Sequence, residues 1–401
     1  MSEVVGLSRT DARRLLVAAQ GLHSNWKLSG GAEGAAEVVE RLGYVQIDTI
    51  AVIERAHHHV IWTRFPGYEA AHLDDLLSRD RRVFEYWAHA AAYLPMRDYR
   101  YYIPKIKYYA EQHRARHWLA ENRTLAKKVL ARIAAEGPLG TADFEHHGEQ
   151  RGPWWDWKPA KRALEYLFWT GRLMIAGRRN FQRLYDLSER VLPAGLDTSP
   201  PRAEESARFV ARRALQSLGL TMVKQKDAGL SEPKRVARAL AELVEAGEAL
   251  PVCVEGLEQD SYFAWMPLLR ARPPGRRQLH LLSPFDNLVI DRRRAEQFFG
   301  FEYRIECYTP GPKRKYGYFT LPILWGDELV GRLDPKAERK EGVFRVKMLA
   351  LEPGFKPDEE FYPALARKLR DFAHYHGCTE VQVDESRPAG GRAALRRALK
   401  G

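Results

Sequence analysis

The chain has 401 residues, of which 45% are hydrophobic and 29% are charged, a composition that excludes a disordered or fibrous protein. Its net charge of +12 favours a polyanionic partner, either nucleic acid or an anionic membrane surface. No stretch approaches the roughly 20 apolar residues of a membrane span, and no signal peptide is recognised at the N-terminus. Cys253, Cys307 and Cys378 stand far apart, which fits a reducing cytoplasm and argues against a zinc module or a disulfide framework.

A pattern of helices followed by strands recurs three times along the chain. In its first copy, Ser8–Asp11 resembles a capping box that opens a helix, and Ala35–Arg41 gives a second helix. Alternating apolar and polar side chains then predict a strand from Tyr44 to Ile50, followed by an aromatic-rich stretch through Pro95.

Two polar side chains share one face of that predicted strand. Gln46 and Asp48 would point to the same side, because successive strand residues alternate between faces. An amide beside a carboxylate can hold one water between them. The spacing alone favours a plain solvated face, because short motifs often match by chance.

The second copy has the clearest outline. Thr124–Ala135 has helical spacing and is stopped by Gly137-Pro138, and a short polar element, Thr141–His146, follows. A helix over Lys158–Thr170 comes next, and two strand-like runs flank Gly177–Asn180. Helices followed by a hairpin with a basic tip are typical of a winged helix.

The third copy is similar. A helix ends at Leu218 before Gly219, a second short helix is expected over Thr221–Asp227, and Ser231-Glu232-Pro233 opens another. Strands are predicted over Leu250–Val254 and Tyr262–Trp265.

Beyond Gly275 the pattern changes to strands and turns. Pro200-Pro201 and Pro273–Gly275 are predicted linkers, because proline cannot continue a helix. The residues from Gly390 to Gly401 are basic and expected to fray. Strands are predicted over Gln278–Leu282, Tyr303–Tyr308, Tyr316–Leu324, Val343–Leu351 and Thr379–Val383, with a helix over Pro357–His376. The sequence thus predicts an α+β fold with three tandem winged-helix units, at residues 1–122, 123–198 and 199–272, and a β-rich C-terminal domain at 273–401.

Basic residues in two turns are candidate phosphate contacts. They are Arg178 and Arg179 at the tip of the middle hairpin, and Lys313-Arg314-Lys315 in a turn bounded by proline. Each could equally be an ordinary solvated charge, so the prediction rests on the set.

Two further motifs have competing interpretations. His57-His58-His59 suggests a metal site, but three consecutive residues cannot converge on one ion from a regular helix or strand, so no metal is predicted. Glu85–His89 is either a half-buried packing element or the wall of a base or sugar pocket. No glycine-rich nucleotide loop occurs in a strand-to-helix context, and no cofactor is predicted.

Six blocks of the sequence resemble the YcaQ/AlkZ-like DNA glycosylases: Gln46–Ile50, Glu54–His59, Phe84–Ala91, Leu282–Leu288, Phe299–Glu306 and Pro312–Tyr318. The resemblance implies tandem winged helices and a β-rich domain arranged around a concave DNA-binding surface. It also implies excision of N7-alkylated purines and unhooking of interstrand crosslinks in DNA repair. One branch of the family carries Gln-apolar-Gln and the YcaQ branch carries Gln-apolar-Asp. Gln46-Ile47-Asp48 matches the second branch, so the resemblance assigns catalysis to Gln46 and Asp48.

The residue types fit that chemistry. Asp48 would stabilise an oxocarbenium-like sugar and take a proton from water, while Gln46 would hold the water in line. No Schiff-base lysine is needed, so a monofunctional glycosylase without lyase activity is expected. Glu85, Tyr86, Trp87 and His89 are candidates for the substrate pocket, and Arg55 and His57 for DNA contacts beside the lesion. The Lys313–Lys315 turn is expected to probe the duplex near the lesion.

The partner implied is double-stranded DNA with alkylated purines or crosslinks, bound by a cytoplasmic, nucleoid-associated monomer. Two other classes of protein share the basic charge and helical repeats: a winged-helix transcriptional regulator without catalysis, and an RNA-binding or tRNA-processing protein. A regulator should prefer one duplex sequence, whereas a repair enzyme should bind duplexes broadly and with steep salt dependence.

Overall fold

Four β-sheets covered by helices organise the α+β fold of this chain. The computed structural model describes residues 4–23, 26–50, 52–144, 157–223, 231–271 and 277–401. None of the helices within these ranges has the length and apolar character needed to cross a membrane.

A three-stranded sheet in the order β2–β4–β3 forms the centre of the first unit and makes β2 an edge strand. In it, Val45 lies opposite Tyr93 and Gln46 opposite Ala92. The predicted cap of the first helix is confirmed, because the Ser8 hydroxyl accepts a hydrogen bond from the Asp11 amide at 3.0 Å. The elements of residues 1–122 are β1 (Val5–Leu7), α1 (Arg9–Ala19), α2 (Gly31–Leu42), β2 (Val45–Gln46), α3 (Ala56–Arg64), α4 (Ala70–Ser78), β3 (Val83–Trp87), β4 (Ala91–Pro95), α5 (Tyr99–Glu111) and α6 (His113–Glu121).

The second unit contains two long helices and a hairpin. The described part of the predicted element Thr141–His146 is a 3₁₀ turn, Thr141–Phe144, and its last two residues lie outside the described ranges. The helices and strands are α7 (Arg123–Glu136), α8 (Trp157–Trp169), β5 (Leu173–Arg179), β6 (Gln182–Leu187) and α9 (Ser188–Val191).

The third unit includes the N-terminal strand of the chain, because β1 pairs in parallel with β8. Helix α1 packs in the same core as β8, β9 and the C-terminal residues Leu282 and Phe301. The helix predicted over Thr221–Asp227 is wrong at its start, where Leu220–Thr221 is a strand, and residues 224–227 are not described. The unit contains α10 (Ala203–Leu218), β7 (Leu220–Thr221), α11 (Pro233–Glu245), β8 (Ala249–Val254), β9 (Tyr262–Trp265) and α12 (Met266–Ala271). The domain boundaries remain a prediction.

Predicted linkers flank this unit. Pro200-Pro201 lies in irregular chain before α10, and Pro273–Gly275 lies outside the described ranges.

The C-terminal region is built on a five-stranded sheet in the order β10–β11–β12–β13–β14. The strand predicted over Tyr303–Tyr308 is wrong, and the one predicted from Tyr316 begins only at Leu321. The residues expected to fray form a helix that buries Leu395. The elements are β10 (Leu279–Leu281), α13 (Arg292–Phe299), β11 (Leu321–Trp325), β12 (Glu328–Glu338), β13 (Val343–Leu351), α14 (Phe361–Tyr375), β14 (Glu380–Arg387) and α15 (Gly390–Ala398).

A buried ion pair joins the C-terminal region to the first unit. The Arg64 guanidinium on α3 binds both carboxylate oxygens of Asp286 at 2.7 and 2.9 Å, and both side chains are 0% exposed. Arg64 also donates to the carbonyl oxygens of Gln20 and Val60, at 2.7 and 3.0 Å. Burial by itself raises the pKa of the Asp286 carboxyl, but Arg64 and the Leu288 amide outweigh it and hold that pKa below its usual value.

A second arginine joins the third unit to the first. Arg213 on α10 pairs with the buried carboxylate of Asp98 and donates to the carbonyl oxygen of Glu40 at 2.7 Å. A side chain at Gly43 would clash with Arg213, because a Cβ there would lie 2.8 Å from its Cδ. Gly43 also has a φ of +79°, which favours glycine. Glycine at this position therefore allows both the end of α2 and the close approach of Arg213.

The Asp286→Asn substitution should destabilise the protein by about 3–5 kcal/mol, because it leaves the Arg64 charge buried without its counter-charge. Urea denaturation followed by far-UV circular dichroism measures the effect. Asp80→Asn is the matched control, since it removes one of the two acidic partners of the exposed Arg79 and should leave the urea midpoint unchanged. Equal midpoints for the two variants would show that the buried pair does not stabilise the fold.

Candidate active site

The motif Gln46-Ile47-Asp48 lies where the edge strand β2 leaves its sheet. The predicted strand over Tyr44–Ile50 is wrong beyond Gln46: the last ladder bond is donated by the Ile47 amide to the Ala91 carbonyl at 2.8 Å. The Asp48 carboxylate explains the early end. Its Oδ1 accepts from the Ile50 amide at 3.0 Å, a local turn that replaces sheet pairing.

The two polar groups of the motif are therefore fixed in different ways. Gln46 is held by the strand, and Asp48 by its own turn. Both side chains are half-buried. Asp48 Oδ2 has no hydrogen-bond partner within the described ranges, so one carboxylate oxygen remains to bind a water or a substrate.

His89 orients Gln46. The two side chains form a 2.7 Å hydrogen bond in which imidazole Nε2–H donates to the amide oxygen Oε1 of Gln46. The Gln46 amide nitrogen is therefore directed away from His89 and can donate elsewhere. The Tyr44 ring packs edge-on against the His89 ring at 5.1 Å between centroids.

The hairpin that carries His89 is held at its tip. The Lys105 ammonium donates to the carbonyl oxygens of Trp87 and Ala88, each at 3.0 Å, and the Ala88 amide donates to the Ala90 carbonyl. Trp87 and His89 are exposed on this tip. These two predicted pocket residues thus lie at the surface next to Gln46.

Glu85 and Tyr86, the other two predicted pocket residues, face inward. The Glu85 carboxylate is completely buried and accepts from Arg178 Nη2 at 2.6 Å and Arg183 Nε at 2.5 Å. The Tyr86 hydroxyl donates to the Trp169 carbonyl at 2.8 Å. Glu85 therefore joins the first unit to the β5–β6 hairpin of the second, and the structure does not bring it to a solvent-facing pocket.

The tip of the β5–β6 hairpin docks onto the first unit. Phe181, with φ of +68°, places its ring 3.6 Å from the Arg55 guanidinium carbon and 4.3 Å from that of Arg178, and stacks on the His57 ring at 5.8 Å. Among the predicted DNA contacts, Arg55 and Arg178 are thus engaged by this ring. Arg179 is exposed and pairs with Asp143 at 3.0 Å.

His57 does not fit the role of a cationic DNA contact. It is buried, and burial first, then His58, Arg178 and Arg55, lower its pKa well below the usual value. Burial and the neighbouring positive charges therefore favour the neutral form of the ring.

The three consecutive histidines have separate partners. His58 Nδ1 lies 2.7 Å from the Tyr68 hydroxyl, and His59 Nε2 donates to the Leu281 carbonyl at 2.8 Å. His59 thereby links α3 to the C-terminal sheet. The described ranges contain no group of three or more histidine, cysteine or acidic side chains arranged to hold a metal ion.

The C-terminal region holds both ends of the segment that contains Gln46 and Asp48. The Asn287 side-chain amide donates to the Tyr44 carbonyl at 3.1 Å, and Arg339 donates to the Ile53 carbonyl. Asn287 directly follows the buried Asp286. Asn287 belongs to the family-like block Leu282–Leu288, but no spacing rule connects it to Tyr44, 243 residues away.

A loop from Glu306 to Tyr318, called the 306–318 loop below, contains the basic turn. The Glu306 carboxylate accepts from the backbone amides of Lys315, Tyr316 and Gly317 at 2.9, 2.8 and 3.1 Å. Burial raises the pKa of the Glu306 carboxyl, but these three donors outweigh it and the pKa is lowered. The same amides are unavailable to a sheet, which explains why the predicted strand starts late.

The basic residues of this loop differ in their surroundings. Arg314 Nε donates to the Thr309 carbonyl at 2.8 Å and its guanidinium lies over the Tyr318 ring. Lys313 and Lys315 are exposed. Both lysines face solvent, and the Lys315 ammonium lies 4.9 Å from the centre of the Tyr316 ring, whereas Arg314 braces the loop.

The charge of Asp48 acts on one residue of the 306–318 loop. Burial raises the pKa of the Cys307 thiol, and the negative charge of Asp48 raises it further.

Gln46 and Asp48 lie outside the cavity that His89 helps to line. That cavity has a volume of about 480 Å³ and lies between α10, α11 and α13, with Tyr44 and His89 in its wall. Gln46, which is not in the wall, is connected to the cavity through its hydrogen bond with His89.

Comparison with known proteins identifies the class of this arrangement. A family model described as DNA glycosylase AlkZ-like matches residues 39–375. Among solved structures, the Streptomyces sahachiroi DNA glycosylase AlkZ is similar, with a TM-score of 0.63 and 13% sequence identity over 94% of this chain and 99% of that chain. The structural likeness supports the α+β fold.

The Glu85→Gln substitution should loosen the junction between the first and second units, because Arg178 and Arg183 lose the buried counter-charge that they share. We expect amide hydrogen exchange in β5 and β6 to accelerate by at least about tenfold, since tenfold corresponds to about 1.4 kcal/mol of local stability. Asp143→Asn, which removes the partner of the exposed Arg179, is the control and should leave exchange there unchanged. Unchanged exchange in Glu85→Gln would argue for a role of Glu85 other than joining the units.

Proposed function

The chain belongs to the AlkZ-like DNA glycosylase family, and we propose that it is a monofunctional enzyme that hydrolyses the N-glycosidic bond of N7-alkylated purines, including those in interstrand crosslinks. The observation that carries the proposal is the arrangement at the end of β2. Gln46 is oriented by His89, and Asp48 keeps one carboxylate oxygen available beside it.

The leaving base sets what the enzyme must supply. An N7-alkylated purine is cationic, so when the bond between N9 and the sugar carbon C1′ breaks, the electron pair moves onto the base and neutralises it. A general acid is therefore not needed. What remains is to stabilise the positive charge on the sugar and to deliver a water to C1′.

Asp48 and Gln46 divide these tasks. The Asp48 carboxylate stabilises the developing oxocarbenium charge and accepts a proton from the attacking water, whose oxygen bonds to C1′. The Gln46 amide N–H donates to a lone pair of that water, because its oxygen is already bound to His89. The other lone pair of the water attacks C1′, and the proton that the water loses passes to Asp48.

The location of the pair outside the cavity supports the inclusion of crosslinks among the substrates. A base tethered to the opposite strand cannot be withdrawn into an enclosed pocket. A site on an open surface has no such requirement. We propose that the units at residues 1–122, 123–198 and 199–272 act as winged helices around a concave DNA-binding surface completed by residues 273–401.

Three lysines bear on how the protein binds DNA and on whether it forms a covalent adduct. Lys313 and Lys315 are the proposed phosphate contacts, since both are exposed cations of the 306–318 loop. Lys105 lies near the hairpin tip, but its ammonium is bonded to two carbonyl oxygens, which supports hydrolysis without a Schiff base. We propose a cytoplasmic, nucleoid-associated monomer acting on double-stranded DNA.

Asp48→Asn tests the proposed function. Wild type should release N7-methylguanine from a duplex containing one such base, and the variant should be slower by at least about 100-fold, roughly 2.7 kcal/mol of barrier. Asp143→Asn is the control, because it also removes one carboxylate but lies far from Gln46 and Asp48 in the sequence. Borohydride treatment should trap no covalent DNA adduct.

Two outcomes would contradict this function. No base release by wild type, combined with tight binding to one undamaged sequence, would favour a regulator. Equal release by wild type and Asp48→Asn would remove the carboxylate from the mechanism. A duplex with an interstrand crosslink between two N7 atoms, analysed on a denaturing gel, tests the crosslink activity separately.

His89→Ala tests the orientation of Gln46. The single-turnover rate should fall by at least about tenfold, because the Gln46 amide is free to rotate, while the dissociation constant for DNA should stay nearly constant. His89→Gln retains an N–H donor and should restore much of the rate. A variant that weakens DNA binding but cleaves normally at saturation would instead make His89 a DNA contact.

A further inference from the structure

The cavity between α10, α11 and α13, called the junction cavity below, lies where three parts of the chain meet. Helices α10 and α11 belong to the third unit, Tyr44 and His89 to the first, and α13 to the C-terminal region. Its volume of about 480 Å³ lies within the range of roughly 300–1,000 Å³ that is usual for small-molecule sites. The chemistry proposed for Gln46 and Asp48 gives this cavity no role.

One side of the junction cavity is apolar. Its side chains come from α10 and from the chain that follows β7, and they are only partly buried, so apolar surface remains exposed. A ligand with a hydrocarbon or aromatic body would cover that surface and remove it from water. The partly buried apolar residues of this wall are Phe209, Ala214, Leu218, Met222 and Val223.

A buried cation lies in the wall formed by α13. Arg294 is 7% exposed, and its Nη2 donates to the Asn287 carbonyl oxygen. Its Nε has no hydrogen-bond partner within the described ranges, and no carboxylate there forms an ion pair with the guanidinium. By contrast, Arg64 and Arg213, which join the units elsewhere, each have a carboxylate partner. A buried charge without a counter-charge is costly, so the wall around Arg294 favours an anionic ligand.

Two further atoms of the wall are buried without partners. Thr221 Oγ1 and Asn287 Oδ1 have no hydrogen-bond partner among the residues that the structure describes. Buried polar groups are normally satisfied by protein, ligand or ordered water. The Thr221 hydroxyl offers a second donor to an anion, whereas Asn287 Oδ1 needs a donor from the ligand or from a bound water.

We propose that the junction cavity binds a small amphipathic organic anion, whose carboxylate or equivalent group pairs with Arg294 while its apolar body packs against α10. Arginine is suited to this role, because its guanidinium binds a carboxylate through two parallel hydrogen bonds. A phosphate of a DNA duplex fits less well, since it cannot leave the helix surface to reach a buried guanidinium. The bound anion would lie close to the catalytic motif, because His89 belongs to the wall and is bonded to Gln46.

The anion site is tested with the fluorescent dye 8-anilinonaphthalene-1-sulfonate, which combines an aromatic body with one negative charge. Titration of the wild-type protein should reveal one saturable site, from which octanoate displaces the dye. The dye N-phenyl-1-naphthylamine has the same rings without the sulfonate. It should bind at least about tenfold more weakly, because it has no charge to pair with Arg294.

Two variants locate the site. Ala214→Trp fills the cavity from α10 and should raise the dissociation constant of the sulfonate dye by at least about tenfold. Gln216→Trp adds the same ring at an exposed position of α10 outside the wall, and it should leave binding unchanged. Arg294→Met keeps an unbranched side chain without the charge. It should weaken the sulfonate dye to a similar extent and leave the affinity for the uncharged dye unchanged.

Three results would overturn the anion site. Unchanged binding of the sulfonate dye in Ala214→Trp would mean that the dye binds elsewhere. Equal affinity of wild type for the two dyes would make the cavity apolar without a preference for anions. Displacement of the dye by a short undamaged duplex, but not by octanoate, would assign the cavity to DNA. If circular dichroism shows that Arg294→Met does not fold, Ala214→Trp and the uncharged dye still decide. None of these results depends on base release, so the proposed glycosylase function stands or falls separately.

Discussion

The ion pair between Arg64 and Asp286 is the contact on which the geometry of this protein depends. Both charged side chains are completely buried, and the loss of their hydration costs free energy. Two parallel hydrogen bonds between them, and the bonds from Arg64 to backbone carbonyl oxygens, offset that cost. Neither residue can move without leaving the other charge buried. Asn287, the next residue after Asp286, holds the carbonyl of Tyr44, so this rigidity is passed to the strand that ends at Gln46.

Buried carboxylates also pair with arginine where the first unit meets the second and the third. Glu85 binds Arg178 and Arg183 of the second unit, and Asp98 binds Arg213 of the third. A hydrophobic junction could slide by one packing position, whereas a buried carboxylate must keep its charged hydrogen-bond donors. We infer that these pairs fix the register of the units more than they add stability. The segment with Gln46 and Asp48 lies in the unit common to all three junctions, so the three pairs together fix its position.

Elements whose ends are marked by capping residues or turn residues could be predicted from the sequence. The cap at Ser8 was one of them. Two of the errors occurred where a carboxylate captures backbone amides: Asp48 ends a strand predicted to continue to Ile50, and Glu306 replaces a predicted strand by a braced loop. The alternation of polar and apolar side chains cannot reveal this competition for backbone amides. The competition depends on which amides lie within reach of the carboxylate in the folded chain. The burial of Glu85 was equally unpredictable, since its partners are over 90 residues away.

The position of Gln46 and Asp48 outside the cavity between α10, α11 and α13 fits the chemistry that we propose. Glycosylases that must protonate a neutral base gain from enclosing it, because burial tunes the pKa of the acid. A cationic base already carries the charge that such an acid would provide. An enclosed pocket is then unnecessary, and the enzyme can leave one side of the site to the duplex itself. Orientation becomes the limiting requirement, and the bonds from His89 to Gln46 and from the Ile50 amide to Asp48 meet it without enclosing the base.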